Sequence, residues 1–537
     1  MYFKLRKFIY DKLKLIILIG CLTFGLIQLT SFHRHSNYRR INVDPRHLPR
    51  ELHMGLSKVG ASSQHETAHH AVAIETEAYH DNADTKEDTS DDSVNTGDFD
   101  TDADGEFEAH GELEGYNAVD DLSRKSDTVL DNSISGNENV RSEESLIREH
   151  FGIDPRLDDA SLKALMNIWN TIELQMLTET KNISNIRRIP FLPNYRNPCW
   201  ISRLGAEDPY RFDRFIVTRG KLVDNLNALW TARREQGLPW RLRCLPFFYI
   251  IGTSKCATTD LYRRLLGHPD IVTEAKEWHW WSVRRPPKGG HPMSSYVDVF
   301  DGVSETIRKE YTEKDGFPFH NMITMDGSPS TIYNVTGEPW GDDGPQFTNA
   351  HHIHHFYPEA KIVLIARDPV ERLYSEYLFF KKDHPESLED FHMRSQEAIN
   401  EYLNCVKDTG SERHCAYEDI NVGTRKFRLQ IGLYHTFLLD WYKLFPKENI
   451  LVIRTEDLAD NTNQTMRDVF HLTGLTRLND KQLDSMYRSK HYNIRRPYGR
   501  TFGDMKPETR TLLRNFYTTY NHRLADLLKN ENFTWGY

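Results

Sequence analysis

Residues 245–262 read L-P-F-F-Y-I-I-G-T-S-K-C-A-T-T-D-L-Y, and this stretch decides the fold. Its apolar half predicts a buried strand over 247–251, followed by a tight loop and a helix that begins near Thr258. Such a loop directs backbone N–H groups and the positive end of a helix dipole at one point, which suits an anion. Lys255 adds a positive charge, and Thr258 and Thr259 add hydroxyl donors. The pattern favours an anion-binding loop over the alternative, an ordinary strand-to-helix turn with a solvated lysine.

The loop differs from the phosphate-binding loop of nucleotide hydrolases. That loop has the pattern G-x-x-x-x-G-K-[ST], whereas here the lysine precedes the threonines by three residues and no second glycine follows. A second predicted strand, over 362–366, is followed by Arg367, where such a hydrolase would present a carboxylate to its metal ion. Asp368 is interpreted as the N-cap of a helix that begins at Pro369. Arg367 offers a planar fork to phosphate oxygens, or alternatively pairs with a nearby acid. A magnesium-dependent nucleotide hydrolase is therefore disfavoured.

Short β-branched runs alternate with amphipathic stretches around these motifs, which is typical of a central parallel sheet flanked by helices. The predicted fold class is therefore α/β. A helix is predicted from the apolar positions between Leu162 and Met176, upstream of the sheet, and a final long helix is predicted over 507–528. Strands are predicted over 247–251, 271–273, 322–325, 362–366 and 450–453.

The 537 residues exceed what one hydrophobic core usually organises. The net charge of −10 is uneven, because residues 81–120 hold 15 carboxylates and a single lysine. A cleaved signal peptide is the alternative for the apolar run over 15–32, but its basic flank is long and no A-x-A site follows. We therefore expect a cytoplasmic tail over 1–14, a transmembrane signal anchor over 15–32, a disordered acidic stem over 33–144, an accessory helical region over 145–243 and the α/β domain over 244–537.

Lumenal placement of the chain after the anchor suits its sequons and cysteines. Cys405 and Cys415 are close enough in sequence to predict a disulfide in an oxidising compartment. Cys199 and Cys244 offer a second bridge with Cys256 left free, although the spacing alone leaves this pairing open. Four N-x-[ST] sequons predict glycosylation, at Asn182, Asn334, Asn463 and Asn532.

The segments G-T-S-K-C-A-T-T-D-L (252–261) and I-A-R-D-P-V-E-R-L-Y-S-E-Y (365–377) resemble the two phosphosulfate-binding motifs of the PAPS-dependent carbohydrate sulfotransferase family. The resemblance implies a sulfotransferase fold and 3′-phosphoadenylyl sulfate (PAPS) as the donor, with no metal. It implies that Arg367 and Ser375 bind the 3′-phosphate. The residues that it implies for the 5′-phosphosulfate are Lys255, Cys256, Ala257, Thr258 and Thr259.

The donor site has one departure from the family pattern and one further candidate loop. The family usually has glycine where this chain has Ala257, so lower activity is expected if φ must be positive there. Near the C-terminus, R-R-P-Y-G-R-T-F-G-D-M (495–505) resembles the glycine-rich basic loop that closes over the nucleotide. Arg500 and Thr501 are then the predicted contacts, and a solvated loop is the alternative.

The candidate catalytic groups lie in T-E-A-K-E-W-H-W-W (273–281). Sulfuryl transfer to a hydroxyl needs a base at the acceptor oxygen, in-line approach to sulfur and positive charge at the leaving phosphate. The segment resembles the K-E-x-H segment of glycosaminoglycan sulfotransferases, whose glutamate is the catalytic base. This implies Glu277 as the base, His279 as an orienting or assisting group, Lys255 as the cation at the bridging oxygen, and Lys276 as a phosphosulfate or acceptor contact. The alternative is a surface Glu–Lys pair beside a buried aromatic cluster.

Other candidates for acceptor binding are less specific. Trp281, like its neighbours Trp278 and Trp280, is predicted either to stack on sugar faces or to fill the core. Ser328 and Ser330 belong to D-G-S-P-S-T-I-Y (326–333), which resembles a family motif that lines the acceptor cleft.

Two groups of basic residues have open interpretations. Arg284, Arg285 and Lys288 either meet acidic groups of the acceptor or form a solvated face. The histidines at 351, 352, 354 and 355 lack a matching set of cysteines or carboxylates, so no zinc site is predicted.

The combination of K-C-x-T-T-D-L-Y, K-E-x-H-W-W and M-K-P-E-T-R-x-L-L-R-x-F-Y most resembles family members that sulfate the 6-hydroxyl of N-acetylgalactosamine (GalNAc) 4-sulfate in chondroitin and dermatan sulfate. The resemblance implies a glycosaminoglycan acceptor and a single-pass type II Golgi membrane protein with a lumenal catalytic domain; no nucleic-acid partner is predicted. One alternative is another glycosaminoglycan O-sulfotransferase, of the heparan sulfate 3-O type. The other is a non-catalytic glycan-binding protein on a decayed sulfotransferase fold. The oligomeric state is left open, with a homodimer as one alternative.

Overall fold

The computed structural model describes residues 142–205, 208–210, 220–286, 290–335, 337–379, 387–418, 427–479, 481–483 and 503–537. These residues belong to one compact unit of the chain. The predicted tail, membrane anchor and nearly all of the stem lie outside them. Within the described part of the chain, every helix is too short or too polar to span a bilayer.

The central sheet consists of parallel strands. The strands along the chain are β1 (Cys199–Arg203), β2 (Trp240–Cys244), β3 (Phe248–Gly252), β4 (Thr312–Lys314), β5 (Phe317–Phe319), β6 (Met325–Asp326), β7 (Trp340–Gly341), β8 (Gly344–Pro345), β9 (Lys361–Ala366) and β10 (Ile450–Arg454). Four of them pair in the order β10–β9–β3–β6, and every pairing is parallel. Strands β3 and β9 are buried on both faces, which explains their continuous apolar sequences. The predicted α/β fold is confirmed.

Helices flank this sheet. They are α1 (Glu143–Phe151), α2 (Asp159–Thr178), α3 (Gly220–Glu235), α4 (Thr258–Leu265), α5 (Met293–Asp298), α6 (Asp301–Lys309), α7 (Asn349–Phe356), α8 (Pro369–Phe379), α9 (Leu388–Thr409), α10 (Glu412–Tyr417), α11 (Tyr434–Tyr442), α12 (Thr455–Asp460), α13 (Thr462–Thr473) and α14 (Pro507–Leu528). Successive side chains of β3 enter two different hydrophobic cores, with Tyr249 and Ile251 in the larger and Phe248 and Ile250 in the smaller. Helices α4 and α13 contribute to the smaller core, and α7, α8, α11 and α14 contribute to the larger.

The predicted elements agree with the structure where the apolar pattern is long. Helix α14 has the predicted bounds, and β3, β9 and β10 lie within one residue of theirs. The interpretation of Asp368 as an N-cap is supported, because its carboxylate accepts a hydrogen bond from the Val370 N–H at 2.9 Å. The predicted strand over 271–273 supplies only one bridge, between Ile271 and Ile323, and the strand over 322–325 is reduced to β6. Runs of two to four apolar residues are too short to sustain a ladder.

The region predicted as an accessory helical region also contains strands. Helices α1, α2 and α3 are joined there by the antiparallel pair β1–β2, in which Cys199 lies opposite Cys244. Strand β2 carries two buried arginines that face α5 and α6. Arg241 Nη1 lies 3.0 Å from Asp298 Oδ1 and 2.8 Å from Asp301 Oδ2, and Arg243 pairs with the same carboxylates. The accessory region is therefore bound to the α/β domain by a buried ionic cluster of Arg241, Arg243, Asp298 and Asp301.

Candidate active site

The loops that follow β3, β9 and β10 meet, because the three strands are parallel neighbours and end at the same edge of the sheet. Arg367 Nη1 lies 3.5 Å from the Lys255 carbonyl oxygen, to which it donates. The hydroxyl of Thr455, at the start of α12, lies 3.0 Å from the carbonyl oxygens of both Cys256 and Ala366. The structure thus brings together the loop between β3 and α4 (residues 253–257), here called the donor loop, and the predicted phosphate-binding Arg367.

Two non-glycine residues of the donor loop adopt left-handed backbone conformations. The φ angle is +66° at Lys255 and +62° at Ala257, the residue that directly precedes α4. Only glycine adopts this region without a steric cost. The chain therefore holds an alanine in the conformation for which the family pattern has glycine. Thr258 and Thr259 follow as the first residues of α4, with Thr258 buried and Thr259 half-buried.

Cys256 is buried and its thiol faces the core. The Thr253 hydroxyl donates to its sulfur at 3.0 Å, and the Tyr434 hydroxyl lies 3.8 Å away. Burial raises the pKa of the Cys256 thiol, so the neutral form is favoured. The Cys256 side chain is thus a packing group, and its backbone is the part of the residue that belongs to the loop.

Lys255 is the central cation of the site. Its ammonium lies 3.3 Å from the centre of the Phe379 ring, at the end of α8. Burial lowers the pKa of Lys255 to about 8, against the opposing effect of the carboxylates of Glu376 and Glu277. The guanidinium groups of Arg367 and Arg428 lower it further. The carboxylates and guanidinium groups that act on Lys255 come from four different segments, so the folded chain concentrates charge around this ammonium.

Glu277, the predicted base, lies beside Lys276. The two side chains form an ion pair, and 46% of the Glu277 side chain remains exposed. Partial burial opposes ionisation of Glu277, but Lys276, His279 and Lys255 outweigh this effect and hold its pKa below the ordinary value. Lys276 Nζ also lies 3.3 Å from the Thr258 hydroxyl. Lys276 therefore connects the candidate base to the first turn of the donor helix.

His279 is hydrogen-bonded to two buried serines, Ser328 and Ser330, and Ser330 is in turn hydrogen-bonded to Ser282. The His279 N–H donates to Ser328 Oγ at 3.0 Å, and Nδ1 lies 2.6 Å from Ser330 Oγ. Ser330 Oγ lies 2.6 Å from Ser282 Oγ, and Ser328 donates to Asp326 at 2.6 Å. Ser328 and Ser330 are 1% and 7% exposed, so they are poorly placed to bind an acceptor directly. The structure places them as supports of His279 instead.

The two residues predicted to bind the 3′-phosphate lie in the connection from β9 to α8 and on α8 itself. Arg367 directly follows β9, and Ser375 lies half-buried on α8. The next residue, Glu376, is fully buried and pairs with both Arg372 and Arg428. Burial opposes ionisation of Glu376, but the two guanidinium groups outweigh it and hold its pKa below the ordinary value. This buried triad supports α8 behind the donor site.

The segment 273–281, which contains Glu277 and is here called the base segment, places its three tryptophans in the core. Trp278, Trp280 and Trp281 are buried, and Trp281 packs edge-to-face on Tyr249 and Tyr296 at 6.4 and 5.3 Å between ring centres. Of the two alternatives that the sequence left open, the structure therefore supports core filling, and Trp281 does not present a face to a sugar.

The basic run at 284–288 has one structural member. Arg285 is 2% exposed, pairs with Glu338, and donates through Nε to the Trp281 carbonyl oxygen at 2.7 Å. The alternative of a solvated face was therefore wrong for Arg285, because its guanidinium is buried and paired with Glu338. A cavity of about 360 Å³ beside it is lined by residues from 181–183, 285–286, 337–339 and Phe347, and it contains none of the donor residues. Lys288, Arg500 and Thr501 lie outside the described residues.

The dense group of histidines is dispersed among different partners. His352 lies 2.7 Å from Glu338, His351 lies 3.0 Å from the Thr348 hydroxyl, and His355 lies 2.8 Å from the Ile186 carbonyl oxygen. His354 packs edge-to-face on Phe445 at 5.2 Å between ring centres, so each of the four rings is used in packing or in a hydrogen bond.

The structure shows how the cysteines are bonded and how exposed the sequon asparagines are. Cys405 is bonded to Cys415 and Cys199 to Cys244, and Cys256 carries a free thiol. The predicted Cys405–Cys415 disulfide is therefore present, and the second pairing, which the spacing had left open, is Cys199–Cys244. Asn182, Asn463 and Asn532 are exposed, as an attached glycan requires, whereas Asn334 is half-buried and its carbonyl oxygen accepts from Asn349.

Several residues of the site were not singled out from the sequence. Glu376 follows Ser375 directly and Phe379 lies one helical turn later, so their positions in the second motif were the available signal. Arg428 and Asp326 had no comparable signal as partners of the site, because they reach it only through tertiary packing.

Comparison with known proteins places these motifs among sulfotransferases. The sequence model of the family described as "Sulfotransferase domain" matches residues 342–494. Carbohydrate sulfotransferase 15 from Homo sapiens is 37% identical over 372 residues, which cover 64% of this chain and 66% of that relative. Carbohydrate sulfotransferase 15 from Nototodarus sloanii is 39% identical over 139 residues, which cover 26% of this chain and 87% of that relative.

Among solved structures, a sulfotransferase from Alicyclobacillus acidocaldarius is 22% identical, with a TM-score of 0.34. The aligned region covers 53% of this chain and 97% of that protein. The chain spans 66% of the length of the Homo sapiens relative.

Proposed function

The chain belongs to the sulfotransferase family, and on that premise we propose that it transfers a sulfuryl group from PAPS to a hydroxyl of a glycosaminoglycan. The acceptor that we propose is the 6-hydroxyl of GalNAc 4-sulfate in chondroitin or dermatan sulfate. The relatives named carbohydrate sulfotransferase 15 support a carbohydrate acceptor. The sulfated position rests on the resemblance of the sequence motifs.

The observation that carries the proposal is the position of Glu277 beside the loop of Lys255: Lys276 pairs with Glu277, and its Nζ lies 3.3 Å from the hydroxyl of Thr258, three residues after Lys255. Burial raises the pKa of Glu277, but Lys276, with smaller effects from His279 and Lys255, lowers it below the ordinary value. A cation for the leaving group and an ionised base for the nucleophile are the two groups that in-line transfer needs. Their proximity supports transfer chemistry over simple binding of a sulfated glycan.

In the proposed mechanism, the acceptor oxygen attacks sulfur while Glu277 takes the hydroxyl proton. The bond between sulfur and the bridging phosphate oxygen breaks, and the electron pair remains on that oxygen. Lys255 stabilises the charge that develops there, in a site where the surrounding groups are already oriented. The products are the sulfated acceptor and 3′-phosphoadenosine 5′-phosphate. Each atom that the reaction requires comes from the donor, the acceptor or the carboxylate.

The donor itself fits the charges of the loop. Lys255, Arg367 and the backbone at the start of α4 offer positive charge and N–H donors to phosphate oxygens. Ser375 lies on the helix that follows Arg367 and can complete the 3′-phosphate site. His279 is assigned to orient the acceptor, since its ring is fixed by Ser330.

The same proposal includes the predicted cellular placement. We propose a type II Golgi membrane protein anchored by residues 15–32, with a lumenal catalytic domain. The exposed sequon asparagines and the two disulfides support an oxidising, glycosylating compartment. Endoglycosidase treatment of the protein from secretory cells tests this placement, and a full-length chain that never gains a glycan would contradict it.

The test of function is transfer of label from radiolabelled PAPS by the purified protein. Desulfated chondroitin, chondroitin 4-sulfate, dermatan sulfate and heparan sulfate are offered side by side. We expect label in the 4-sulfated chains with a disulfated disaccharide as product. Label in heparan sulfate alone would retain the mechanism and replace the acceptor. Nucleotide binding without label in any chain would favour the glycan-binding alternative.

Two glutamates of the same segment provide a matched pair of variants. Glu277→Gln removes the base and should lower kcat by about 100-fold or more. Glu274→Gln changes a half-buried carboxylate three residues away, whose pKa is raised by burial and which forms no ion pair with the described residues. Activity of the Glu274→Gln protein should stay within a few-fold of the natural protein, and equal losses in both variants would argue against Glu277 as the base.

A further inference from the structure

The ammonium of Lys255 lies on an aromatic ring. Its Nζ is 3.3 Å from the centre of the Phe379 ring, close enough for a strong cation–π contact. Within the described part of the chain, Lys255 forms no ion pair shorter than 4 Å, although Glu277 and Glu376 are near enough to influence it. Lys276 next to the site pairs with Glu277 in the ordinary way. The ring is therefore the direct partner of Lys255.

Phe379 is one of the large apolar side chains that lie at the surface. It is 53% exposed at the end of α8, so burial alone does not account for its placement. Ser375 lies four residues earlier and therefore on the same face of the helix. One helix face thus presents both the predicted 3′-phosphate residue and the ring that holds the lysine of the opposite loop.

We propose that Phe379 is a positioning residue, whose ring holds the Lys255 ammonium while the donor site is empty and releases it to the leaving phosphate oxygen when the donor binds. This inference rests on the proposed function. Since the ring contact exists only in the free enzyme, the donor must break it, and the free energy of the contact is subtracted from that of donor binding. Charge-assisted hydrogen bonds to phosphate are stronger than a half-exposed cation–π contact, so the donor displaces the ring.

The groups that face Lys255 come from every side of the site. Phe379 and Glu376 are on α8, Glu277 is on the base segment, Arg367 follows β9, and Arg428 precedes the turn at Leu429–Gly432. The two carboxylates and two guanidinium groups remain in place when Phe379 is changed. A substitution at Phe379 therefore tests the ring and leaves this charge set intact.

The contact can be observed directly by reductive methylation of lysines with ¹³C-formaldehyde. A methylated ammonium above a ring face keeps its cation–π attraction. Its methyl protons are shifted upfield by the ring. We expect one upfield methyl signal, which disappears in Lys255→Arg, returns to the ordinary position in Phe379→Leu and persists in Phe379→Tyr. A Lys255 signal at the ordinary position in the natural protein would overturn the proposal.

Release is tested by adding 3′-phosphoadenosine 5′-phosphate to the methylated protein. The upfield signal should move to the ordinary position as the nucleotide saturates the site. An upfield signal that does not change in a protein shown to bind the nucleotide would overturn the release step. Absence of both nucleotide binding and sulfate transfer would instead contradict the proposed function, while the signal of the free protein still reports the contact.

A double-mutant cycle measures the effect on the reaction. Because the contact is made only in the free enzyme, Phe379→Leu should raise kcat/KM for PAPS by about two- to fivefold, the range of a half-exposed cation–π contact, and Phe379→Tyr should keep the natural value. In a Lys255→Met background the same Phe379→Leu change should have no further effect. An equal change of kcat/KM in both backgrounds, or a loss in the natural background, would show that the ring acts elsewhere, and the inference would then be wrong.

Discussion

At position 257 an alanine adopts a backbone conformation that suits glycine. Its φ and ψ angles are +62° and +24°, directly before the first turn of α4. An L-residue in the left-handed region costs on the order of 1 kcal/mol, because its Cβ crowds the neighbouring carbonyl oxygen. The cost falls on the loop that is proposed to hold the phosphosulfate.

Ala257→Gly should therefore stabilise the protein. We expect the free energy of unfolding to rise by up to about 1 kcal/mol, since relief of the strain exceeds the extra entropy of glycine in the unfolded chain. Urea denaturation of the natural protein and the variant measures this difference. Ala164→Gly is the matched control, because Ala164 is exposed inside α2, where glycine should cost about 1 kcal/mol. Destabilisation by both substitutions would contradict the assigned strain.

The Lys255 ammonium also determines an expected pH dependence. Burial lowers its pKa to about 8, so the charged form dominates below pH 8 and is lost as the pH rises through that value. Because the proposed mechanism requires the charged form at the leaving oxygen, kcat/KM should fall on the alkaline side with an apparent pKa near 8. The pKa of Glu277 is held below its ordinary value by its basic neighbours, so the acid limb should lie below about pH 4.5.

A pH–rate profile with PAPS and one fixed acceptor measures these limbs. Lys255→Arg is the informative comparison, because arginine stays charged throughout this range even where its geometry lowers the rate. The alkaline limb should be absent from the Lys255→Arg profile. A natural enzyme with a constant rate from pH 7 to pH 10 would rule out Lys255 as the required cation.

At the scale of single elements, the base segment depends on a loop from another part of the sheet. The segment 327–330 follows β6, and its two serines fix the backbone and the ring of His279. The His279 N–H, Ser328 and Asp326 form one buried chain of hydrogen bonds. Buried polar groups that lose a partner cost about 1–3 kcal/mol each.

Ser328→Ala should impair both stability and turnover. It removes the acceptor of the His279 N–H and a donor to Asp326, so we expect a loss of about 1–3 kcal/mol in unfolding free energy. We also expect kcat to fall by about tenfold while the affinity for 3′-phosphoadenosine 5′-phosphate is retained. Ser304→Ala provides the control, since among the described residues that buried hydroxyl donates to the Phe300 carbonyl oxygen alone, one helical turn earlier. A loss of nucleotide affinity in Ser328→Ala would place this serine in the donor site instead.

The elements that were predicted well are those whose signals are local. Strand β9 is a continuous apolar run with a Pro-containing helix start behind it, and α14 carries its stripe over more than five turns. Strand β6 was overestimated because only Met325 and Asp326 meet β3. The same division holds for the site. Lys255, Glu277 and Arg367 lie inside contiguous motifs, whereas Arg428 is brought to Glu376 from 52 residues away by packing alone.

The whole molecule is cross-linked at two places that close loops of different length. Cys199 and Cys244 are 45 residues apart, and Cys405 and Cys415 are 10 residues apart. In the chain-entropy description, a cross-link restricts the unfolded chain more when the loop it closes is longer. The first bridge also joins β1 to β2 at the point where the accessory region enters the sheet.

Removal of the two bridges should therefore have unequal effects. The Cys199→Ala/Cys244→Ala pair should lower the unfolding free energy by about 4 kcal/mol, and the Cys405→Ala/Cys415→Ala pair by about 3 kcal/mol. Equilibrium denaturation under identical conditions compares them. A larger effect from the shorter loop would indicate that packing around α9 and α10, and not restriction of the unfolded chain, dominates the second bridge.

The buried ionic cluster imposes an order on biosynthesis. Arg241 and Arg243 leave the ribosome first, and the carboxylates that they require follow by 55 and 58 residues for Arg243. At about 5–20 residues per second, the growing chain spends roughly 3–12 s in which Glu173, on α2, is the one carboxylate partner of the two arginines, among the described residues, that has been made. Strand β2 cannot be buried during that interval, because two guanidinium groups with a single carboxylate leave a net charge that is too costly to desolvate. The accessory region is thus made before it can fold, and it depends on the nascent α/β domain to complete it.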